Sequence, residues 1–136
     1  MANPTRPLPN LRDLDTQAFW QATKDKRLTY QQCADCGTVV FYPRRHCTGC
    51  FGSNLAWKES AGEGTVYTYS IVRQSYHPFF RSMAPYAVAW IDLDEGPRLV
   101  SNVVGVEDPA SVRIGMRVKV RWEEHEALCV PLFEPA

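Results

Sequence analysis

The chain has 136 residues, enough for one ordinary domain or two small ones, and its apolar share of 45% is typical of soluble proteins. Fifteen basic residues balance fifteen acidic residues, and a net charge of zero argues against a broad nucleic-acid-binding surface. No signal peptide and no apolar stretch of membrane-spanning length is visible. We therefore expect a cytoplasmic protein with no membrane partner, in which clustered cysteines are metal ligands.

Residues 1–27 predict an extended arm followed by a helix. Three prolines within residues 1–12 favour extended backbone, so this arm is expected to be disordered or to lie on a partner. Over residues 15–26, apolar side chains recur at helical spacing, and Asp13 or Asp15 is placed to cap the helix.

Two adjacent aromatic residues, Phe19 and Trp20, lie within the predicted helix. Neighbouring side chains point about 100° apart around a helix, so one of the two can be buried while the other meets a second molecule. The alternative is that both pack on their own chain. Trp20 is therefore a candidate contact residue.

The strongest motif lies in residues 28–53, where two Cys-x-x-Cys pairs are separated by ten residues: Cys33 with Cys36, and Cys47 with Cys50. A two-residue gap lets both thiolates of one turn converge on one ion, and Zn²⁺ takes four such ligands in a tetrahedron. The segment therefore predicts a rubredoxin-like zinc ribbon, although the same four ligands can also hold iron.

The predicted zinc is structural, because four cysteines fill its coordination shell and a catalytic zinc keeps one position open for water or substrate. His46, which precedes Cys47, is expected to be exposed or to point toward a partner instead of binding the metal. A ribbon of this length has too small a core to fold alone, so metal binding is expected to supply folding free energy.

From residue 54 onward the sequence turns to short strands rich in β-branched and aromatic residues, separated by glycine, proline and aspartate turns. The predicted strands begin at residue 55 and then cover residues 65–73, 86–93, 99–104, 117–122 and 127–133. Five or six strands with no long helix between them predict an OB-fold barrel over residues 54–136, with a short sandwich as the alternative. One helical turn is expected at 108–112, and Cys129 is expected to be a core residue.

The whole chain is thus predicted to be mainly β, with an arm and helix (1–27), a zinc ribbon (28–53) and a barrel (54–136). No catalytic motif is recognisable in it. The sequence has no nucleophile elbow, phosphate loop or dinucleotide-binding fingerprint, and its three histidines lie far apart. Its residues alone leave open whether it takes part in an enzyme.

One candidate binding segment lies inside the ribbon, at residues 41–46. It places Tyr42, Arg44 and Arg45 just before the second cysteine pair. An arginine there can bind a phosphate or a carboxylate with two parallel hydrogen bonds. The alternative is a solvated arginine pair.

A second candidate segment is the predicted loop over residues 73–86, which contains His77, Phe79 and Phe80. This loop is too apolar for full exposure to solvent, and its aromatic residues suggest an interface or the wall of a ligand channel. The alternative is that these side chains fold back on the barrel.

Taken together, these residues resemble the zinc-ribbon and OB-fold proteins of acyl-CoA metabolism known as domain of unknown function thirty-five. The likeness covers nearly the whole chain, including Phe19-Trp20, the four-cysteine ribbon, FYPRRHC at 41–47, GEGTVYTYSIV at 62–72, PYAVAWIDLDEGPRLVSNVVGV at 85–106, VRIGMRVKV at 112–120 and PLF at 131–133. Many relatives read FPPR where this chain reads FYPRR, so Tyr42 replaces a proline.

The resemblance implies a non-catalytic subunit that binds a thiolase-like or hydratase-like enzyme, with the catalytic residues carried by that partner. In bacterial steroid side-chain degradation, such a domain pairs with a thiolase-fold protein as a retro-aldolase that acts on a steroid-CoA thioester. The resemblance therefore implies a hetero-oligomer with a thiolase-like subunit and a structural Zn²⁺. Whether acyl-CoA also contacts this chain is left open.

Two other functions remain hypotheses. Zinc ribbons and OB barrels both serve in nucleic-acid-binding modules, and Arg117, Lys119 and Arg121 form a basic face on one predicted strand. The net charge of zero counts against that function. A stand-alone enzyme is disfavoured because the sequence pairs no nucleophile with a base.

Overall fold

The computed structural model describes residues 5–136 and is mainly β. Its two α-helices are α1 (Gln17–Lys24) and α2 (Pro78–Met83). Its strands are β1 (Leu28–Cys33), β2 (Val39–Val40), β3 (Leu55–Ser60), β4 (Glu63–Val72), β5 (Tyr86–Leu93), β6 (Arg98–Val103), β7 (Arg117–Glu124) and β8 (Cys129–Pro135). A 3₁₀ turn at Pro109–Ser111, capped by the side chain of Asp108, confirms the predicted helical turn. Within residues 5–136, no helix has the length and apolarity needed to cross a bilayer.

β1 is the central strand of a three-stranded antiparallel sheet with the order β2-β1-β3. It pairs with β3 along its whole length, from Leu28 opposite Ser60 to Cys33 opposite Leu55. The sequence placed the strand that begins at residue 55 with the barrel, and this was wrong, because β3 completes the ribbon sheet. The residue pattern of a six-residue strand does not specify which strand it pairs with. The division of the chain into three folding units stays a prediction.

β4 to β8 form a closed barrel with the strand order β4-β5-β6-β8-β7. This confirms the predicted OB-type barrel, with five strands, and excludes the sandwich, in which the strands would form two separate sheets. Two seams close the barrel. β4 pairs with β7 around Gly64 and Val118, and β6 pairs in parallel with β8 at a single residue pair, Val103 with Phe133.

The barrel core arises from alternation along the strands. In β5, Ala87, Ala89 and Ile91 point inward and are fully buried, whereas Trp90 points outward and is about half exposed. Phe133 on β8 is also fully buried and belongs to the same apolar cluster. These inward side chains fill the barrel, as expected for one of this size.

α1 joins this core through Phe19, which is buried among barrel residues and lies edge-on to the partly buried Trp20 at a ring-centroid distance of 4.9 Å. The fully buried Thr23 ties the helix to β8. Its hydroxyl donates to the Trp20 carbonyl (2.6 Å) and accepts from the backbone N–H of Cys129 (3.3 Å). Cys129 itself is buried, which confirms its predicted place in the core.

The predicted cap of the first helix was wrong. α1 has Thr16 at its N-cap position and no capping hydrogen bond from a side chain. Asp13 contributes its backbone carbonyl, which accepts from the N–H groups of Thr16 (3.2 Å) and Gln17 (2.9 Å), while its carboxylate accepts from the Asp15 N–H (3.0 Å). A separate turn therefore replaces the start of the predicted helix, because the Asp13 carboxylate bonds to Asp15 and not to the helix N-terminus.

The described part of the N-terminal arm lies on the barrel of its own chain. The Arg6 guanidinium donates to the Glu123 carboxylate (Nη2 to Oε2, 3.0 Å) and stacks 4.6 Å from the ring centroid of Phe79. Only 7% of the Arg6 side chain is exposed. At Arg6, therefore, the arm is neither disordered nor reserved for a partner. The arm's first four residues lie outside the described part of the chain.

The segment over residues 73–86, expected to be a loop, contains α2. The His77 ring accepts a hydrogen bond from the Phe79 N–H (Nδ1, 3.1 Å), which caps the helix, and Pro78 occupies the first turn, where no N–H donor is needed. The rings of Phe79 and Phe80 are 5.1 Å apart, and both lie close to the Arg6 guanidinium. Part of this aromatic surface therefore packs on its own chain.

Candidate functional site

The two cysteine pairs lie in two tight turns. In the first turn, the Gly37 N–H donates to the Cys33 carbonyl (2.9 Å), and Gly37 adopts a φ of 79°, which glycine reaches without strain. In the second turn, the Phe51 N–H donates to the Cys47 carbonyl (3.0 Å), and the Gly49 N–H donates to the Cys47 sulfur (3.2 Å). Each turn thereby directs its thiol groups to one side.

The four cysteine sulfur atoms form one compact cluster, in which all lie within 4.8 Å of one another. The sulfur of Cys33 lies 3.7 Å from that of Cys50, and the sulfur of Cys36 lies 3.5 Å from that of Cys47. A tetrahedral zinc ion with Zn–S bonds of ~2.3 Å requires sulfur atoms about 3.8 Å apart. The cluster therefore fits a zinc ion without rearrangement of the chain.

The thiol pKa values indicate that the cluster needs a cation. Hydrogen bonds from Thr38 lower the pKa of Cys36 to about 6. The Gly52 N–H acts to lower the pKa of Cys50, yet hydrogen bonds with the Cys33 and Cys36 thiols raise it to about 11. Four thiolates crowded together cannot all be ionised near neutral pH unless a bound cation offsets their charge.

These residues form a structural zinc site. Among residues 5–136, the metal-binding cluster consists of the four cysteines, with no histidine or carboxylate. His46 is exposed and lies outside the cluster, in agreement with the sequence. Four thiolates fill the tetrahedral shell and leave no position for water or substrate, so the ion holds the two turns together and performs no chemistry.

A second candidate site is a cleft of about 450 Å³ bounded by the ribbon, α1 and the barrel. Residues of β5, β6 and β8 form one side, while α1 and the segment that follows β2 form the other. Arg6 is the one charged residue among those that line it, and no lining residue is acidic. A cleft of this size and apolar character suits a ligand or an inserted segment of a partner. Its lining includes Phe19, Trp20, Phe41, Tyr42, Val100 and Leu132.

Three of the predicted contact residues, Trp20, Tyr42 and Phe80, line this cleft. Tyr42 is about half exposed, and its hydroxyl oxygen accepts a hydrogen bond from the Val100 N–H (2.9 Å). The fold thus brings a helix residue, a ribbon residue and a residue from the segment before β5 to one place. Their contact with a partner or ligand stays a prediction.

The two arginines of the ribbon segment lie outside the cleft lining. Arg45 forms a surface ion pair with Asp15 (2.9 Å). The backbone of Arg44 is held by the Gln31 side chain, which accepts from the Arg44 N–H (2.8 Å) and donates to its carbonyl (2.9 Å). This clamp fixes the path of the segment and leaves the Arg44 guanidinium exposed. The other two predicted contact residues, His77 and Phe79, belong to the start of α2 and also lie outside the lining.

Sequence reasoning missed two contributors to the cleft, Arg6 and the seam between β6 and β8. The seam is paired at one end only, and residues from the unpaired part of both strands, Val100 and Pro131 among them, line the cleft. No local pattern signals a seam between strands about thirty residues apart. For Arg6, the nearby prolines indicated an extended arm but not the surface on which it lies.

Within the described residues there is one hydrogen bond between a histidine and a carboxylate, from His125 to Glu123 (2.7 Å). Partial burial alone would raise the pKa of Glu123, but hydrogen bonds with Arg6 and His125 hold it below its usual range. The carboxylate is shared between a guanidinium and an imidazole, which is an arrangement that fixes the N-terminal arm. It does not provide a free base.

Two family models match adjoining parts of the chain. A model described as the rubredoxin-like zinc ribbon domain of ChsH2 matches residues 20–56, and one described as the C-terminal OB-fold domain of ChsH2 matches residues 57–123. The fold and the four-cysteine site thus define a zinc-ribbon and OB-fold protein.

The particular family follows from a relative of similar length. The chain is 36% identical over 111 residues to a DUF35 domain-containing scaffold protein of Methanocaldococcus jannaschii, and the match covers 80% of this chain and 77% of that protein. The chain therefore belongs to the DUF35 family, the family that its sequence resembles.

Other similar proteins act on CoA thioesters according to their names. The chain is 41% identical over 134 residues to the probable enoyl-CoA hydratase alpha subunit of Thermomonospora curvata, covering 96% of this chain but 40% of that protein. It is 28% identical to the 3-oxo-4,17-pregnadiene-20-carboxyl-CoA hydratase alpha subunit of Mycobacterium tuberculosis, of which it covers 38%. This chain thus spans about two fifths of the length of both hydratase subunits.

Among solved structures, a chain of the Ltp2-ChsH2(DUF35) aldolase superposes with a TM-score of 0.82 and 38% sequence identity. That match covers 96% of this chain and 98% of the other. A DUF35 protein from Sulfolobus solfataricus superposes with a TM-score of 0.66 at 18% identity, which is a likeness of fold alone.

Proposed function

We propose that this chain is a non-catalytic, zinc-binding accessory subunit that binds a thiolase-like enzyme and helps to form an acyl-CoA retro-aldolase. The observation that carries the proposal is the 38% identity to a chain of the Ltp2-ChsH2(DUF35) aldolase over nearly the full length of both chains. A steroid-CoA thioester is the proposed substrate class, because the relative in Mycobacterium tuberculosis is named for a pregnadiene-carboxyl-CoA.

The chemistry of the described residues supports an accessory role. The four thiolates close the zinc shell, and the Glu123 carboxylate is shared between Arg6 and His125. Neither centre offers a reactive group to a substrate. The cleft, in contrast, offers an apolar surface: the partly buried side chains of Trp20 and Phe80 line it, and aromatic side chains are typical anchors in protein interfaces.

Co-expression with a thiolase-like protein tests this proposal. We expect a stable hetero-oligomer in size-exclusion chromatography with light scattering, and retro-aldol cleavage of a steroid-CoA thioester when both chains are present. The chain alone should show no turnover. The proposal fails if the two proteins elute separately, or if the thiolase-like protein alone cleaves the substrate as fast as the mixture does.

A matched pair of variants locates the interface. Trp20→Ala removes a residue of the cleft lining and is expected to weaken the complex by about tenfold or more, in the range of an aromatic hot spot. Ile114→Ala removes a side chain that is 68% exposed and lies outside the cleft lining, so it should change the affinity less than twofold. Thermal unfolding of both variants shows whether either change acts through stability.

The nucleic-acid-binding alternative is weakened by the surroundings of the basic strand. Arg117 forms two hydrogen bonds to the Asp94 carboxylate (2.7 and 2.8 Å), and Arg121 lies 3.4 Å from a carboxylate oxygen of Glu134. Two of the three cations on that face are therefore already paired. Binding of a single-stranded oligonucleotide that weakens steeply with salt would revive this alternative.

A further inference from the structure

Thr38 lies between the first cysteine turn and β2, beside one of the zinc ligands. Its carbonyl accepts a hydrogen bond from the Cys33 N–H (2.9 Å), which fixes its backbone against the turn. Its half-buried side chain places Oγ1 at 3.1 Å from the sulfur of Cys36. A cysteine bound to zinc is a thiolate without a proton, so in this contact the Thr38 hydroxyl donates and the Cys36 sulfur accepts.

The second cysteine turn leaves room for this hydroxyl at Gly49. The φ of Gly49 lies outside the left-handed region, so backbone conformation does not require glycine at this position. A Cβ atom on residue 49 would lie 2.5 Å from the Thr38 Oγ1 and 3.5 Å from the Cys36 sulfur. The hydroxyl of Thr38 therefore occupies the space that a side chain of the second turn would fill.

The charge of the cluster gives this hydrogen bond its importance. Four thiolates around one Zn²⁺ leave an excess of negative charge, which hydrogen-bond donors offset. The Gly49 N–H donates to the Cys47 sulfur (3.2 Å), but any residue except proline can supply a backbone donor. Among the non-cysteine side chains of residues 5–136, Thr38 alone lies within hydrogen-bond distance of a cluster sulfur. A change of side chain at Thr38 thus alters the charge balance of the site without removing a ligand.

We propose that Thr38 is a positioning residue of the zinc site, whose hydroxyl orients and stabilises the Cys36 thiolate and thereby strengthens zinc binding. Gly49 is required to admit this hydroxyl. Hydrogen-bond partners of metal ligands typically raise metal affinity by about 10–100-fold. Cys36 is exposed, so water can replace part of the lost hydrogen bond, and the expected effect is at the lower end, about tenfold. The proposal concerns this chain alone and does not depend on its proposed partner.

Three substitutions separate the hydrogen bond from packing, with zinc affinity measured by competition with a chromophoric chelator. Thr38→Ala removes the hydroxyl and should weaken zinc binding by about tenfold. Thr38→Ser keeps the hydroxyl and loses only a methyl group, so its zinc affinity should stay within about twofold of that of the natural chain. Thr48→Ala is the matched control and should also stay within about twofold. Thr48 is an exposed threonine of the second cysteine turn and, in the part of the chain that the structure describes, makes no hydrogen bond to a cluster sulfur.

Cobalt(II) bound in place of zinc reports on the sulfur donors themselves. A hydrogen bond lowers the energy of the sulfur lone pairs, so its loss shifts the sulfur-to-cobalt charge-transfer band to longer wavelength. We expect this shift in Thr38→Ala, and not in Thr38→Ser or Thr48→Ala. A side chain that only packs against Cys36 would leave the band unchanged.

A double-mutant cycle tests the role of Gly49. In the natural chain, Gly49→Ala places a methyl group against the Thr38 hydroxyl and should weaken zinc binding by about tenfold. In the Thr38→Ala background the hydroxyl is gone, and the nearest atom of residue 38 is its Cβ, at 3.3 Å. The further loss caused by Gly49→Ala should then be less than about threefold, because the new methyl group fills the space that the hydroxyl leaves.

The outcomes decide between a hydrogen bond and packing. Weaker zinc binding and a shifted cobalt band in Thr38→Ala, both restored in Thr38→Ser, support the proposal. Unchanged affinity in Thr38→Ala, or a loss of affinity without a band shift, overturns it. If Thr38→Ala binds no metal, Thr38→Ser decides: binding restored by the hydroxyl supports the proposal, and no binding in either variant overturns it. Losses from Thr38→Ala and Gly49→Ala that add in the double variant overturn the role of Gly49.

Discussion

Replacing Cys47 by alanine is expected to unfold the zinc ribbon while the barrel stays folded. Cys47 is 1% exposed, and its sulfur lies 3.5 Å from that of Cys36, inside the four-sulfur cluster. With three thiolates left, zinc must take a water or another group as its fourth ligand, and its affinity falls. The barrel strands close on an apolar core that is distinct from the cluster of Cys33, Val40 and Cys47, and most of its residues belong to the barrel, with Leu28 of β1 as the contribution of the ribbon sheet. The barrel is therefore expected to stay folded without the metal.

The magnitude follows from the small size of the ribbon core. Its buried cluster consists of Cys33, Val40 and Cys47, with Leu55 packed against it. Burial of Val40 and Leu55 contributes about 1.5–3 kcal/mol each. A structural zinc supplies ~10–16 kcal/mol in zinc-finger peptides, so the metal is the larger contribution to ribbon stability. Loss of the metal should therefore unfold the segment between the two cysteine pairs.

Cys129→Ala is the matched control, since Cys129 is also buried (3% exposed) but lies in β8, outside the metal cluster. It should cost about 1 kcal/mol and leave the zinc content at one ion per chain. The assay combines elemental analysis with residue-resolved hydrogen exchange. In Cys47→Ala, amides between residues 33 and 50 should exchange rapidly, while Ile91 and Val118 in the barrel stay protected. Retention of one tightly bound zinc by Cys47→Ala, or simultaneous loss of protection in both regions, would refute the reasoning.

Three further changes test the barrel and the arm. Phe133→Ala empties a fully buried position of the core and should lower the free energy of unfolding by about 3–5 kcal/mol in urea titration. Gly64→Ala should cost about 1–3 kcal/mol in the same measurement, because the added Cβ would lie too close to the Asp92 carbonyl oxygen; an unchanged midpoint would contradict the close packing of β4 against β5 at this residue. Glu123→Gln should lower the melting temperature at neutral pH by removing the charged partner of Arg6. Since the folded-state pKa of Glu123 is lowered, its contribution is complete above the ordinary value of 4.5 and is lost as the pH falls through the lowered pKa. The difference in melting temperature between Glu123→Gln and the natural chain should therefore shrink in acid. A difference that grows as the pH falls would contradict the predicted pH dependence.

The features that the sequence predicted correctly are those set by neighbouring residues. The spacing of Cys33 and Cys36 is enough to place two thiols in one turn, and the alternation of apolar residues in β5 is enough to define a barrel strand. Helix α2 was missed because its six residues, PFFRSM, are too few to show a helical period.

The sequence by itself thus determined the zinc ligands, the mainly β character and most strand positions, because each depends on residues close together in the chain. The tertiary structure alone decided that β3 pairs with β1 and that Arg6 binds Glu123 across 117 positions of sequence. It also decided that β6 and β8 pair at one position, Val103 with Phe133. Pairings of this kind depend on how the barrel closes and where the ribbon lies against it. No segment carries that information in its own pattern of residues.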